Sequence, residues 1–377
     1  MRLRMEVQGQ SFRDQRRDHQ KPDSSLKNSF RAPLFCPFAL SECLQHKDEG
    51  IMKKMIAACI AALFLPTAAL SQTCGTRDLI AELSSDDRAR LDAYVAPHPY
   101  PVGNLWRAEK DGSTVIVAGT LHVPDPRMSP IVEKIVPHLA AADLLILEAT
   151  SQDEAELANL AAEKPEFFFI TEGPTLIDLL GEEDWAKAEA RLGALGMPGF
   201  LGAKFQPWYM NLTLAIPPCA LSLMQTGERG LDRQLEALAM DDNVPLAALD
   251  DSETVLRLFA DEPIEDQLDG LRLTLNTQDD GDANTSTLIN AYFDGRTREG
   301  WEFARIAIDQ AGIENGQELF EEVNQSLLIG RNQDWEPKIA ELVAGKDVVL
   351  AVGAAHLSGE TGVLRALERA GYVLEAF

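Results

Sequence analysis

The sequence predicts an α/β protein: a mostly parallel central sheet built from two βαβ-type halves, flanked by helices, with a large helical insertion. Three observations carry this. Two apolar runs end in Gly-x-x-His, Val115-Ile116-Val117-Ala118-Gly119-Thr120-Leu121-His122 and Val348-Val349-Leu350-Ala351-Val352-Gly353-Ala354-Ala355-His356. Each continues through a Pro- or Gly-based loop and a helix into a second strand ending in Leu-Glu-Ala, closed by Glu148 in one copy and Glu375 in the other. The Val/Ile/Leu runs are continuous rather than alternating, the pattern of parallel strands buried on both faces.

The N-terminus stands apart from this pattern. Residues 1–51 are mixed, lack hydrophobic periodicity and contain polar stretches such as Arg13-Asp14-Gln15-Arg16-Arg17, so they read as a disordered or mis-assigned extension. Met52-Lys53-Lys54, an apolar run from Met55 to Leu65 and Ala69-Leu70-Ser71 then make the charged, apolar and small-residue regions of a secretory signal. Residues 52–71 are therefore expected to be a signal peptide, with translation starting at Met52 and a mature domain, 72–377, starting near Gln72. The alternative is a disordered extension with an internal anchor, although the run is too short to span a bilayer as a helix. Of 377 residues, 45% are apolar, enough for one large domain or two ordinary ones. A formal charge of −26 argues against a nucleic-acid partner. The first 71 residues hold 11 of the 34 basic and 7 of the 60 acidic side chains, leaving the remainder at −30. A periplasmic or secreted product, without stable membrane insertion after signal cleavage, is the expectation. Cys36, Cys43 and Cys59 leave with the leader, and Cys74 with Cys219 is a candidate disulfide. Closing so long a loop stabilises by roughly 5 kcal/mol in the chain-entropy model. The alternative is a buried free thiol at Cys219.

Along the mature chain, Asp78 to Tyr94 reads as an amphipathic helix, followed by the Pro-broken segment Ala96 to Pro101. Two strands, Leu105 to Glu109 and Thr114 to Ala118, flank Asp111-Gly112, a hairpin signal. The first Gly-x-x-His sits on the second of these, and Pro124 and Pro126 stop the strand. A helix from Ile131 to Ala141 leads to the strand Leu144 to Leu147; His138 on that helix reads as an ordinary surface or core-edge histidine. Residues 151–243 form the helical insertion, with helices at Asp153 to Ala162, Pro174 to Leu180, Asp184 to Leu195 and from Lys204-Phe205-Gln206-Pro207-Trp208 through Leu214. Whether it is a lid over the carboxyl edge of the sheet or an extra packing layer stays open. Gly230-Leu231-Asp232 opens a helix to Met240, where Asp232 reads as an N-cap or first-turn acid. Val244 to Leu249 is a buried strand ending in Asp250. Further helices fill about 252–345: Ser252 to Phe320 with a polar break at Gln278 to Asp282, Glu321 to Ile329, then Gly330-Arg331-Asn332 and a helix from Asp334 to Val343. Asp279-Asp280-Gly281-Asp282 lacks the spacing and closing Glu of a calcium loop and reads as a solvated acidic loop. In the second copy the helix is Thr361 to Ala370 and the strand Tyr372 to Leu374.

In parallel sheets the chemistry gathers where strands end at their carboxyl edge. His122, Glu148 and His356 have that address, and Asp250 shares it. Two imidazoles and a carboxylate make a first shell for a divalent transition metal, which acidifies bound water and polarises a carbonyl, as hydrolysis of an amide or ester requires. Without a metal, the same groups supply a His base oriented by Glu, with the second His as acid. Arg331 suits a substrate carboxylate or a developing negative charge. Its bland reading is a cation ending one helix, with Asn332 capping the next.

The ordered set Gly119-Thr120-Leu121-His122, Glu148, Gly230-Leu231-Asp232, Gly330-Arg331-Asn332 and Gly353-Ala354-Ala355-His356 resembles the TraB/PrgY/GumN family, related to the Tiki metalloproteases and more remotely to the erythromycin-esterase/ChaN group. The resemblance covers roughly Trp106 to Tyr372. It implies an α/β core with helical insertions and, by analogy with Tiki proteins, peptide-bond hydrolysis with a divalent metal (Mn, Co or Zn). It implies His122, Glu148 and His356 as active-site residues and metal ligands, Arg331 as the family's Arg, and a peptide or small molecule as substrate. The relatives also imply two alternatives, a metal-independent esterase-type hydrolase and a non-catalytic periplasmic protein that sequesters a ligand. One departure is Leu249-Asp250, where bacterial relatives usually have Leu-Glu; the carboxylate is one methylene shorter. Glu375 matches Glu148 within the repeat but not within the family pattern, and is excluded.

Overall fold

The computed structural model describes Cys74 and residues 76–225, 227–277 and 281–377; the expected extension 1–51, the signal 52–71 and residues 278–280 of the acidic loop lie outside the described residues. In chain order the elements used below are α1 (Ser85–Val95), β1 (Leu105–Lys110), β2 (Ser113–Thr120), α2 (Ser129–Leu139), β3 (Leu144–Leu147), α3 (Ser151–Glu163), α4 (Leu231–Asp241), β4 (Leu246–Ala248), α5 (Gly281–Phe293), α6 (Thr297–Ala311), α7 (Arg331–Leu342), β5 (Val348–Gly353), α8 (Val363–Arg369) and β6 (Val373–Ala376). The strands form one sheet in the order β4-β3-β5-β2-β1-β6. β2, β5, β3 and β4 are parallel, and β1 is antiparallel to both β2 and β6. Only β1 therefore runs against the rest.

The hairpin reading holds: Lys110 pairs with Ser113, and Asp111 (φ 52°) and Gly112 (φ 86°) form the two-residue loop between them. Positive φ at both positions is the primed turn whose twist matches paired strands. The two halves diverge at their second strands. From β2 the chain crosses through α2 over β5 to β3, whereas from β5 it crosses through α8 over β2 and β1 to the far edge, where β6 pairs with β1. Right-handed crossovers running in opposite directions place their helices on opposite faces. Accordingly Ile135 and Leu139 of α2 share a core with Ile116, Ala118, Leu145 and Val349, while Val363, Leu364 and Leu367 of α8 share the other with Val115, Val117, Ile146 and Leu350. Neighbouring β2 and β5 thus form a topological switch point, with a crevice at their carboxyl ends.

Three expectations are corrected. α1 begins at Ser85 rather than Asp78, because Asp78 folds back to accept from the Ile80 and Ala81 N–H groups and Ser84 caps the Asp87 N–H; local side-chain bonding outcompetes the helix. The stretch from Ser252 to Phe320 is cut further, at Pro263 and at the left-handed Gly295 and Gly312. Gly330 does not break the chain: its φ and ψ are helical, and the helix Gly316–Asn324 passes through a π-helical segment, Gln325–Gly330, directly into α7. The insertion helices share an apolar core with the helix Ile264–Thr277, through Leu176, Leu192, Met210, Leu271 and Leu275. The sulfurs of Cys74 and Cys219 lie at disulfide distance, packed beside Leu121 and Val123. Among the described residues no helix is long and apolar enough to cross a membrane.

Candidate active site

Four parallel strand ends deliver the site. β2 leads to His122, whose position is set by α4: the Leu231 N–H donates to Leu121 O at 3.0 Å, and a Cβ on Gly230 would collide with the His122 backbone. That docking brings Asp232, in the first turn of α4, to the ring, with Nδ1 3.2 Å from Oδ1. The His122 side chain is 66% exposed and that of Asp232 14%. The Asp232 carboxylate, aided by the charge of Glu148, pushes the imidazole up to about 9. Asp232 is thus more than a first-turn acid.

β3 leads to Glu148. Its Oε1 accepts the Gly353 N–H at 2.6 Å and its Oε2 accepts from Arg331 Nη2. Burial pushes this carboxyl up, but His356 once protonated in acid, the charges of Arg331 and His122 and the Gly353 N–H outweigh it and lower the group to about 2. β5 leads to His356, only 4% exposed. Its Nδ1 lies 2.8 Å from Asn332 Oδ1, while Asn332 Nδ2 donates to its carbonyl at 3.3 Å. An amide oxygen only accepts, so Nδ1 carries the proton and Nε2 faces Arg331 Nη1, 3.1 Å away, as a lone pair. Burial first, and then the Arg331 and His122 charges, push His356 down to about 4 against the pull of Glu148.

β4 leads to Asp250, whose shorter side chain reaches cationic and indole donors. Arg331 Nε and Nη2 donate to Oδ2 at 3.1 and 2.6 Å, and Trp335 Nε1 donates to Oδ1 at 2.7 Å. Arg331 therefore ties Glu148, Asp250 and His356 together from the first turn of α7, lying 4.7 Å over the Trp335 ring, which also packs against His356 with centroids 4.4 Å apart. Neither bland reading of Gly330-Arg331-Asn332 survives: the segment is continuous helix, and Asn332 spends its side chain on His356 rather than on a cap. Trp335 belongs to no motif; its signal is the helical spacing of Arg331, Asn332 and Trp335, which turns them to one side. The π-helical turn just before them is a feature that recurs at functional sites.

Gly353 marks where these groups converge. A Cβ placed there would lie 3.0 Å from Glu148 Oε1, 3.6 Å from His356 Cδ2 and 3.9 Å from His122 Nε2. His122, Glu148, His356 and Arg331 are thus brought to one rim, with Asp232 and Asp250 as direct partners. Glu375 is not: it lies on β6, opposite Arg107. His138 is also elsewhere, edge-on to Phe377 at 5.8 Å. As metal donors the residues fit in kind. Arg331 already stands against His356 Nε2 and Glu148 Oε2, and among the described residues no set of three or more His, Cys, Asp or Glu is disposed to hold an ion.

Known proteins match this chain. It is similar to the uncharacterized protein YbaP of Escherichia coli (strain K12), with 26% identity over 245 residues, 64% of this chain and 83% of the relative, and equally to YbaP of Shigella flexneri. The sequence profile of the TraB/PrgY/gumN family matches residues 104–376, which takes in every strand of the sheet and all four strand-end side chains. The chain belongs to the TraB/PrgY/gumN family.

Proposed function

We propose that this protein is an exported hydrolase of amide or ester bonds, acting on a peptide or a small molecule with a water-activating carboxylate and an imidazolium acid. The observation that carries the reading is the convergence of Glu148, His356 and His122 around Gly353, where the two Gly-x-x-His histidines have different partners and are displaced in opposite directions, one up to about 9 and the other down to about 4. Paired titratable groups pushed apart by their surroundings are a means of assigning acid and base roles. At neutral pH the rim offers two acceptors, ionised Glu148 and neutral His356, and two cationic donors, His122 and Arg331. In the reaction Glu148 takes a proton from water as its oxygen bonds to the substrate carbonyl carbon. Arg331 stabilises the negative charge that builds on the carbonyl oxygen. His122 gives its proton to the departing nitrogen or oxygen as that bond breaks, and recovers a proton from Glu148 through solvent. The products are a carboxylic acid and an amine or alcohol.

A second reading, a divalent ion held by His122, Glu148 and His356, is favoured by one observation: both rings have Nδ1 beside an amide or carboxylate oxygen, which leaves Nε2 as the nitrogen that would face an ion. Bound there, an ion would act as a Lewis acid and acidify water, but Arg331 would first have to withdraw. Elemental analysis of chain purified without chelator, beside a His122→Ala, His356→Ala variant, separates the two. Stoichiometric metal lost in the variant supports the second reading, and none in either protein supports the first. Peptide and ester libraries test hydrolysis itself: Glu148→Gln and His122→Ala each lower kcat by about 10²–10⁴-fold. Ligand binding without turnover, unchanged in Glu148→Gln, would replace both readings by sequestration.

A further inference from the structure

We propose that the turn between α5 and α6 is a brace that sets the spacing of the two histidine loops, with Tyr292 and Arg298 as positioning residues; its catalytic meaning rests on the hydrolase reading. Tyr292, at the end of α5, donates its hydroxyl to Gly119 O at 2.9 Å, at the head of the first Gly-x-x-His. Asn104 completes that end: its carbonyl accepts the Gly119 N–H at 2.7 Å, and its side chain donates to Tyr292 O at 2.6 Å and accepts from Thr297 Oγ1 at 3.1 Å. Across left-handed Gly295, whose carbonyl accepts the Gly103 N–H at 2.8 Å, α6 supplies Arg298 to the second loop. Arg298 donates to Ser358 Oγ at 2.7 Å, Ser358 O at 2.9 Å and Ala355 O at 3.4 Å, so its contacts straddle His356.

The chemistry of the Arg298 end argues for geometry over stability. Arg298 is 5% exposed, and its counter-ion Glu302 is 2% exposed, 3.3 Å away and also engaged by Arg305 and His98. A buried ion pair roughly breaks even against well-packed apolar side chains, because desolvation cancels most of the attraction. What an apolar residue cannot supply is a rigid planar fork reaching three acceptors on one loop. One short helical hairpin therefore grips both motifs, which lie more than two hundred residues apart in sequence.

The test compares Arg298→Met, Arg298→Lys and Tyr292→Phe in the full chain. Readouts are peptide-resolved backbone hydrogen exchange and the ring NMR signals of His122 and His356, neither of which needs a substrate. Arg298→Met is expected to raise exchange over 353–362 by about tenfold and to move the His356 ring signals while β2 and β3 keep their protection. Arg298→Lys, which keeps the charge on a single donor nitrogen but loses the planar fork, restores part of that change. Tyr292→Phe, the loss of one hydroxyl, does the same over 119–123 and at His122. With a substrate in hand, kcat falls by up to about 100-fold at unchanged KM, the result of misplacing a reacting group. Unaltered exchange and ring signals in a folded Arg298→Met or Tyr292→Phe, or a rise spread evenly over the chain, would overturn the brace. Should Arg298→Met fail to fold, Ser358→Ala and Tyr292→Phe decide the matter by the same readouts. A loosened loop in a protein that hydrolyses nothing would keep the brace and remove the hydrolase reading; intact turnover in variants whose exchange and ring signals are also unaltered would do the reverse.

Discussion

His122 and His356 share a motif but not a protonation state, and the difference lies in their partners. Asp232 faces an exposed ring and stabilises its cation, whereas His356 is enclosed by Trp335, Asn332 and the Arg331 charge. Replacing Asp232 with Asn removes the main support of the His122 cation, so its pKa falls from about 9 toward 6.5 and the alkaline limb of the pH–rate profile moves down with it. For stability the two histidines act with opposite sign. His122, raised in the fold, contributes fully below 6.5 and loses that contribution as pH rises through about 9, by an amount that its exposure and salt keep small. His356, lowered in the fold, is protonated more readily by the unfolded chain, so stability drains as pH falls from 6.5 to about 4. That loss is on the order of 3 kcal/mol. Urea unfolding across this window checks it, with His356→Gln, less stable at neutral pH, expected to show the shallower acid dependence. Arg331→Met leaves Glu148 and Asp250 buried together without their cation, and a loss of about 3–5 kcal/mol follows.

At the scale of elements, the strand ends were the legible part. Continuous apolar runs fix where β2, β3 and β5 stop, and the side chain just past each stop is a site residue, because a parallel sheet aligns its carboxyl ends. Less legible were features decided by a neighbour. Gly330 is a helix breaker by composition, yet packing carries the helix through it as a π-helical turn that aims Arg331, Asn332 and Trp335 inward. Asp232 has an adequate local explanation as a first-turn acid, and only the docking of α4 on Leu121 reveals its partner. Tyr292 and Arg298 carry no motif because most of what they hold is backbone, which any sequence presents. Gly353→Ala is the informative change here. A Cβ at 3.0 Å from Glu148 Oε1 intrudes on the convergence point while β5 keeps its pairing, so activity falls far more than Tm, as paired kinetic and thermal-melt measurements will record.

For the whole molecule, the duplication visible in sequence is real in strand direction and broken in placement. Two crossovers leave adjacent strands for opposite sides, so β3 joins the interior of the sheet and β6 its far edge. That divergence is invisible to periodicity, because each copy reads identically along the chain, and it is also what opens the crevice. The disulfide between Cys74 and Cys219 spans a sequence separation of 145, fastens Cys74 to the helix Pro218–Gln225, and packs beside Leu121 and Val123 of the His122 loop. Replacing both cysteines with Ser is expected to cost about 2–5 kcal/mol, read as a lowered urea midpoint.

The proposed chemistry requires two imidazoles, distant in sequence, to share one electrostatic neighbourhood with Glu148. NMR titration of the ring signals of His122 and His356, in the intact protein and in Glu148→Gln, measures that directly. The expected midpoints lie near 9 for His122 and near 4 for His356, with His122 falling in the variant as it loses the Glu148 charge. Two midpoints at the ordinary 6.5, both indifferent to Glu148→Gln, would contradict that requirement.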